Sequence, residues 1–118
     1  MSLFEIDVVE TTDGVLRLEV DGEIDLSSGP GLLDSVLCAA LASNHRQVVM
    51  DLRDVTFIDS CGLSAIIQTH RRLCDNGSHL VIVRPAPMVR RLIEMTGLDS
   101  MLDLRPDWSD RHTALSGS

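Results

Sequence analysis

Hydrophobic and polar residues alternate along "FEIDVVE", with Phe4, Ile6 and Val8 on one side, the period-two pattern of a half-buried strand. Asp13-Gly14 is a two-residue turn signal, so "VLRLEVDGEID" should return antiparallel. There Leu16, Leu18 and Val20 are set against Arg17, Glu19 and Asp21. In "SSGPGLLDSVLCAALASN" the period becomes helical: Leu33, Val36, Leu37, Ala40 and Leu41 fall at i, i+3, i+4, i+7 and i+8. Ser27 or Ser28 can cap that helix, and Pro30 suits its first turn, where a missing N–H costs nothing. "QVVMDL" and "HLVIV" are short, continuous apolar runs, as expected of strands covered on both faces. Between them a second helix runs from about Cys61 to Asp75, with Leu63, Ile66, Ile67, His70, Leu73 and Cys74 on its inner side, and Asn76-Gly77 ends it. "RPAPMVRRLIEMTG" is a turn and a third helix, with Pro87 near its start and Gly97 past its end. "MLDLRP" reads as a last short strand.

The order is β-β-α-β-α-β-α-β, without repeats, linkers or low-complexity segments. It predicts an α/β single domain: a mixed, mostly parallel sheet of about five strands that opens with an antiparallel hairpin and has helices packed on it. The length, 118 residues, suits one domain. Residues 1–110 form that unit in this reading, and the small, polar close of the chain, residues 111–118, is expected to fray. In such a sheet, function tends to sit beyond the carboxyl ends of the strands. Two stretches qualify, Gly22 to Ser28 and Val55 to Ser60.

Composition narrows the function classes. A formal charge of -8, with two Phe, one Trp and no Tyr, argues against nucleic acid, whose phosphates the field repels and whose bases need exposed rings to stack on. A partner with a basic docking face fits better. No apolar run approaches the roughly 20 residues of a membrane span, and the N-terminus is not a secretory signal. Three cysteines, Cys38, Cys61 and Cys74, have no framework spacing, which fits a reducing cytoplasmic setting.

Within "VTFIDSCGLSAII" an apolar run ends at Asp59-Ser60 and a helical pattern begins at once. Either residue can cap the helix, and Asp59 also complements its positive end. A nucleophile elbow is excluded, because Ile58 stands where G-x-S-x-G requires glycine. No P-loop or G-x-G-x-x-G is present, so a nucleotide-binding enzyme is not supported. Gly62, lacking a Cβ, allows either close approach to the hydroxyl or tight helix packing.

"VVMDLRDVTFIDSCGLSAII" resembles the signature of the STAS domain, the sulphate-transporter and anti-sigma-factor-antagonist family. "LRLEVDGEIDLSSGPGLLDSVL", with its G-E-hydrophobic-D turn, resembles that family's first conserved block. The likeness runs in register from about Leu3 to Leu104, and the size of the chain resembles stand-alone bacterial antagonists. The resemblance implies a non-enzymatic anti-sigma factor antagonist without cofactor or metal. Its partner would be an anti-sigma factor that is a serine kinase, which it binds so that a sigma factor is released. Phosphorylation of Ser60 would switch it off, and a serine phosphatase acting on phospho-Ser60 would reset it. Asp25, Ser27, Asp59, Ser60, Gly62 and Leu63 would form the partner-binding surface. The alternative within the family is a constitutive assembly subunit, in a stress-signalling scaffold or a lipid-transporting ATPase complex, without regulated phosphorylation.

Cys61 stands where that family usually carries serine or alanine. It reads either as a small apolar filler or as a thiol with a lowered pKa at a helix start. Cys61 and Cys74 are thirteen residues apart, about 20 Å along one helix, and cannot pair within it. Cys38, on another helix, leaves redox control open. His70 and Cys74 are one turn apart, but two ligands make no metal site.

Overall fold

A computed structural model describes residues 4–12, 14–25, 29–42 and 46–107. The elements are β1 (Phe4–Thr12), β2 (Val15–Ile24), α1 (Gly29–Ala42), β3 (Gln47–Ile58), α2 (Ser60–Asp75), β4 (His79–Val83), α3 (Pro87–Met95), a single 3-10 turn (Leu98–Ser100) and β5 (Asp103–Arg105). The five strands lie in chain order, β1-β2-β3-β4-β5. β1 is antiparallel to β2, and every later pair is parallel. The expected α/β order is therefore the observed one.

Each parallel crossover advances to the next neighbour in the same direction. With right-handed connections, α1, α2 and α3 all land on one face of the sheet. One core cluster accordingly joins Leu18, Met50, Leu52 and Ile82 of the strands to Leu32 and Val36 of α1, Ile66 and Leu73 of α2, and Val89 and Ile93 of α3. The central strands are buried on both faces, as expected. Val49, Val81 and Val83 form a second, smaller buried cluster on the other face. Beside them the carboxylate of Asp51, 2% exposed, meets the Arg84 guanidinium and accepts the Arg53 N–H at 3.0 Å, with Arg17 3.9 Å away.

Helix faces depart from the expected stripes. Among the described side chains of α1 the buried ones are Leu32, Val36 and Ala40, whereas Leu37 is half-buried and Leu41 is exposed; the Leu33 side chain lies outside the described ones. In α2, Leu63, Ile66 and Leu73 are buried as expected, but Ala65 and Thr69 join them and Cys74 is exposed. Thr69 tolerates burial because its hydroxyl donates to the Ala65 carbonyl at 2.7 Å.

The largest departure is in β3, which continues six residues past "QVVMDL" to Ile58. Its pairing with β4 stops at Asp51–Val83, while β2 accompanies it to Ile24–Ile58. Along that shared run β3 twice uses one residue more than β2, between Glu19 and Asp21 and again between Gly22 and Glu23. These are β-bulges. Each leaves two consecutive β3 residues facing outward, Arg53-Asp54 and then Thr56-Phe57, so the buried positions become Leu52, Val55 and Ile58. Gly22 sits in the second bulge at φ 105, a backbone region that glycine enters without steric cost. Thr56 Oγ1 donates to the Gly22 carbonyl at 3.3 Å across it.

At the opposite edge, His79 of β4 and Asp103 of β5 are joined at 2.7 Å, and Arg105 Nη2 reaches the same carboxylate at 3.0 Å. Burial opposes the charge on Asp103, but hydrogen bonds from Arg105 and His79, with their charges, outweigh it and hold the carboxyl below its ordinary value of 3.8. A carboxyl depressed by folding stabilises the native state above its unfolded pKa, and that contribution fades as pH falls through the folded value. Asp103→Asn should therefore cost up to about 1 kcal/mol near pH 6, a small loss because the pair is solvent-screened. The difference from wild type should be full near pH 6, begin to shrink as pH falls past the ordinary value of 3.8 and vanish only below the lowered value in the folded state, as urea unfolding along a pH series will show.

Candidate functional site

The end of β2, the end of β3 and the start of α2 converge on one backbone carbonyl, that of Ile24. Ile24 and Ile58 are register partners in the parallel pair. One residue further, the Asp59 N–H donates to the Ile24 carbonyl at 3.4 Å. The chain then turns into α2, and Gly62 passes so close that a Cβ there would lie 2.0 Å from the Ile24 oxygen and 2.7 Å from its carbon. No side chain fits. Of the two uses open to Gly62, the geometry requires close packing.

Asp59 is the N-cap. It has extended backbone geometry (φ -115, ψ -174), its Oδ1 accepts the Gly62 N–H at 2.9 Å, and its carbonyl accepts the Leu63 N–H at 2.9 Å. The side chain thus satisfies one of the donors that a helix start leaves orphaned, the carbonyl takes the first intrahelical bond, and the carboxylate places a negative charge at the helix's positive end. Capping therefore falls to Asp59 and not to Ser60. Ser60 is the first helical residue and is exposed, and its hydroxyl makes no hydrogen bond among the described residues. A serine at a helix entry that neither caps nor packs is free to meet another molecule.

The remaining candidates are placed as follows. Asp25 directly follows Ile24, is half-buried and has interactions of its own. Ser27 lies outside the described residues. Leu63 is 4% exposed, so it supports the site from beneath, as Gly62 does. Cys61 is exposed beside Ser60, which removes its reading as an apolar filler. Cys38 and Cys74 are also free and exposed. His70 Nε2 lies 3.9 Å from Cys74 Sγ. Among the described residues no group of three or more potential ligands is placed to hold a metal ion, and no helix is long and apolar enough to cross a membrane. The residues that sequence reasoning missed are Ile24, whose carbonyl organises the junction, and Phe57, which the second bulge leaves exposed. The three-residue spacing of Leu52, Val55 and Ile58 was the available signal for that bulge.

Comparison with known proteins identifies the family. The STAS domain family model matches residues 8–111. An anti-sigma-B factor antagonist of Staphylococcus aureus is 31% identical over 96 residues, covering 80% of this chain and 88% of its own. That of Bacillus subtilis is 27% identical over 96 residues, covering 81% and 86%. A crystal structure of an anti-sigma factor antagonist from Mycobacterium paratuberculosis superposes with a TM-score of 0.74 at 34% identity, covering 93% of each chain.

Three substitutions separate structural from chemical roles at this junction. Gly62→Ala should destabilise the domain by about 1–3 kcal/mol, the ordinary cost of forcing atoms into packed space. Asp59→Ala should cost about 1 kcal/mol, as loss of an N-cap does. Ser60→Ala should stay within about 0.5 kcal/mol of wild type. Urea unfolding of the four proteins checks the ranking.

Proposed function

The chain belongs to the STAS domain family, alongside the anti-sigma factor antagonists, and we propose that it works as a phosphorylation-controlled antagonist with Ser60 as the phospho-acceptor. In this reading the unmodified protein binds an anti-sigma factor that is also a serine kinase, and a sigma factor is released. Transfer of a phosphoryl group from ATP to Ser60 ends that binding, and a serine phosphatase restores it. The observation that carries the proposal is the exposed Ser60 hydroxyl, which makes no hydrogen bond among the described residues because Asp59 has taken over the cap.

Physical magnitudes fit a switch that acts on the surface. A phosphoserine adds about -1.5 to -2 charge. At the start of α2 it gains about 1–2 kcal/mol from the helix dipole and the remaining free N–H groups. Asp59 and Asp25 oppose it, and a unit charge pair at about 6 Å costs roughly 3 kcal/mol at an effective dielectric near 20. The balance is small against a domain stability of about 5–15 kcal/mol, so the fold persists. A partner that receives a neutral hydroxyl meets a dianion instead, and its desolvation in the contact costs several kcal/mol, hence orders of magnitude in affinity.

Wild type and Ser60→Ala incubated with Mg-ATP and lysate of the source organism, beside an active kinase control, should differ by one phosphoryl group in intact mass, on wild type alone. Amide spectra of the phosphorylated protein should shift around Asp25 and residues 59–63 and leave the core resonances in place. If both proteins stay unmodified, the constitutive assembly subunit becomes the better reading. Shifts spread through the core would contradict the surface mechanism.

A further inference from the structure

Phe57 is one of two phenylalanines in the chain and is 41% exposed. It stands three residues before Ser60, at the same end of the sheet. Its exposure has a structural cause: the bulge between Gly22 and Glu23 makes Thr56 and Phe57 face outward together while Ile58 returns to the core. Thr56 holds that bulge through its hydroxyl, and Gly22 holds it through its positive φ. A strand that ran without the extra residue would not set an aromatic ring and its polar neighbour side by side in solvent. Bulges of this kind re-aim side chains near functional sites.

The neighbouring stretch is rich in acidic residues. Glu23 is the register partner of Phe57 on β2, Asp21 and Asp54 are exposed register partners of each other, and Asp59 follows two residues later in the chain. Arg53, drawn to Asp54 at 4.0 Å, is the basic residue of this stretch. An exposed apolar ring in an acidic stretch, on a protein of charge -8, has the composition of a binding hot spot: an aromatic anchor with charges nearby that steer the partner.

We propose that Phe57 anchors the kinase partner, its ring entering an apolar pocket with a basic rim on the kinase, so that docking precedes and positions phosphoryl transfer to Ser60. This rests on the phospho-acceptor reading of Ser60 and adds the determinant of affinity. An anchor outside the reacting atoms contributes to binding of ground and transition states alike, so its loss raises KM and leaves kcat in place.

The experiment uses the kinase purified from lysate by its activity on the wild-type protein, with steady-state phosphorylation of wild type, Phe57→Ala, Phe57→Leu and Leu41→Ala. Leu41 is 55% exposed at the far end of α1 and serves as the control for an ordinary surface apolar residue. Phe57→Ala should raise KM by about tenfold or more, as truncated anchors do, with kcat within about twofold of wild type. Phe57→Leu should fall between, and Leu41→Ala should match wild type. The wild-type KM should also rise as salt goes from about 50 to about 300 mM, because screening weakens the rim. Melting curves establish that each variant is folded, and Phe57→Leu keeps the test open if the alanine variant is not. An unchanged KM for Phe57→Leu and Phe57→Ala, or a loss confined to kcat, overturns the anchor while leaving Ser60 as acceptor. A KM insensitive to salt overturns the basic rim. If wild type takes up no phosphoryl group from a lysate whose kinases are active, the reading of Ser60 fails and the anchor with it.

Discussion

The architecture of the junction depends on one close approach, Gly62 against the carbonyl of Ile24. That contact fixes how far the start of α2 sits from the end of β2, and with it the position of everything the helix start carries. A methyl group in the gap would separate strand and helix, break the reach of Asp59 to the Gly62 N–H, and tilt α2 off the core that Ile66 and Leu73 fill. The helix entry is held by backbone contacts and one carboxylate, and none of them needs the serine. This division of labour gives Ser60 its chemical freedom: the neighbours satisfy the structural demands of the turn, so the hydroxyl can change state without the turn noticing.

Much of the fold was legible in the chain because its signals are local. The Asp13-Gly14 signal, of which Asp13 lies outside the described residues, the period-two run of Leu16, Leu18 and Val20, and the apolar block "HLVIV" each point to an element within a few residues; β1 and β2 pair antiparallel and β4 has the expected bounds. Helix existence was equally plain, with Pro87 and Gly97 marking the two ends of α3. The buried faces were less so. Leu41 belongs to the apolar stripe of α1 by spacing, yet it points to solvent because burial depends on where the helix lies over the sheet, and its own sequence does not encode that.

The site was legible in part, for the same reason. Asp59 and Ser60 were both candidates for the cap, since either side chain has the chemistry, and only the backbone geometry assigns it to Asp59. The role of Gly62 lies in a contact 38 residues away along the chain, with Ile24, which no local pattern reports. Phe57 was hidden differently. The three-residue spacing of Leu52, Val55 and Ile58 marks inserted residues only once the segment is known to be a strand, and that becomes clear from its register with β2.

The two bulges in β3 have a consequence for how this segment can change over evolutionary time. In a regular strand inward and outward positions alternate, so one added residue would invert everything downstream of it. A bulge absorbs the addition by letting two consecutive residues face outward, so Val55 and Ile58 still turn inward and the helix entry that follows keeps its orientation. A bulge can therefore be gained or lost by a single-residue insertion or deletion at Arg53-Asp54 or Thr56-Phe57 without turning the entry over. Length changes in this segment should accordingly be tolerated one at a time at those outward pairs and not at Leu52, Val55 or Ile58, whose side chains fill the core.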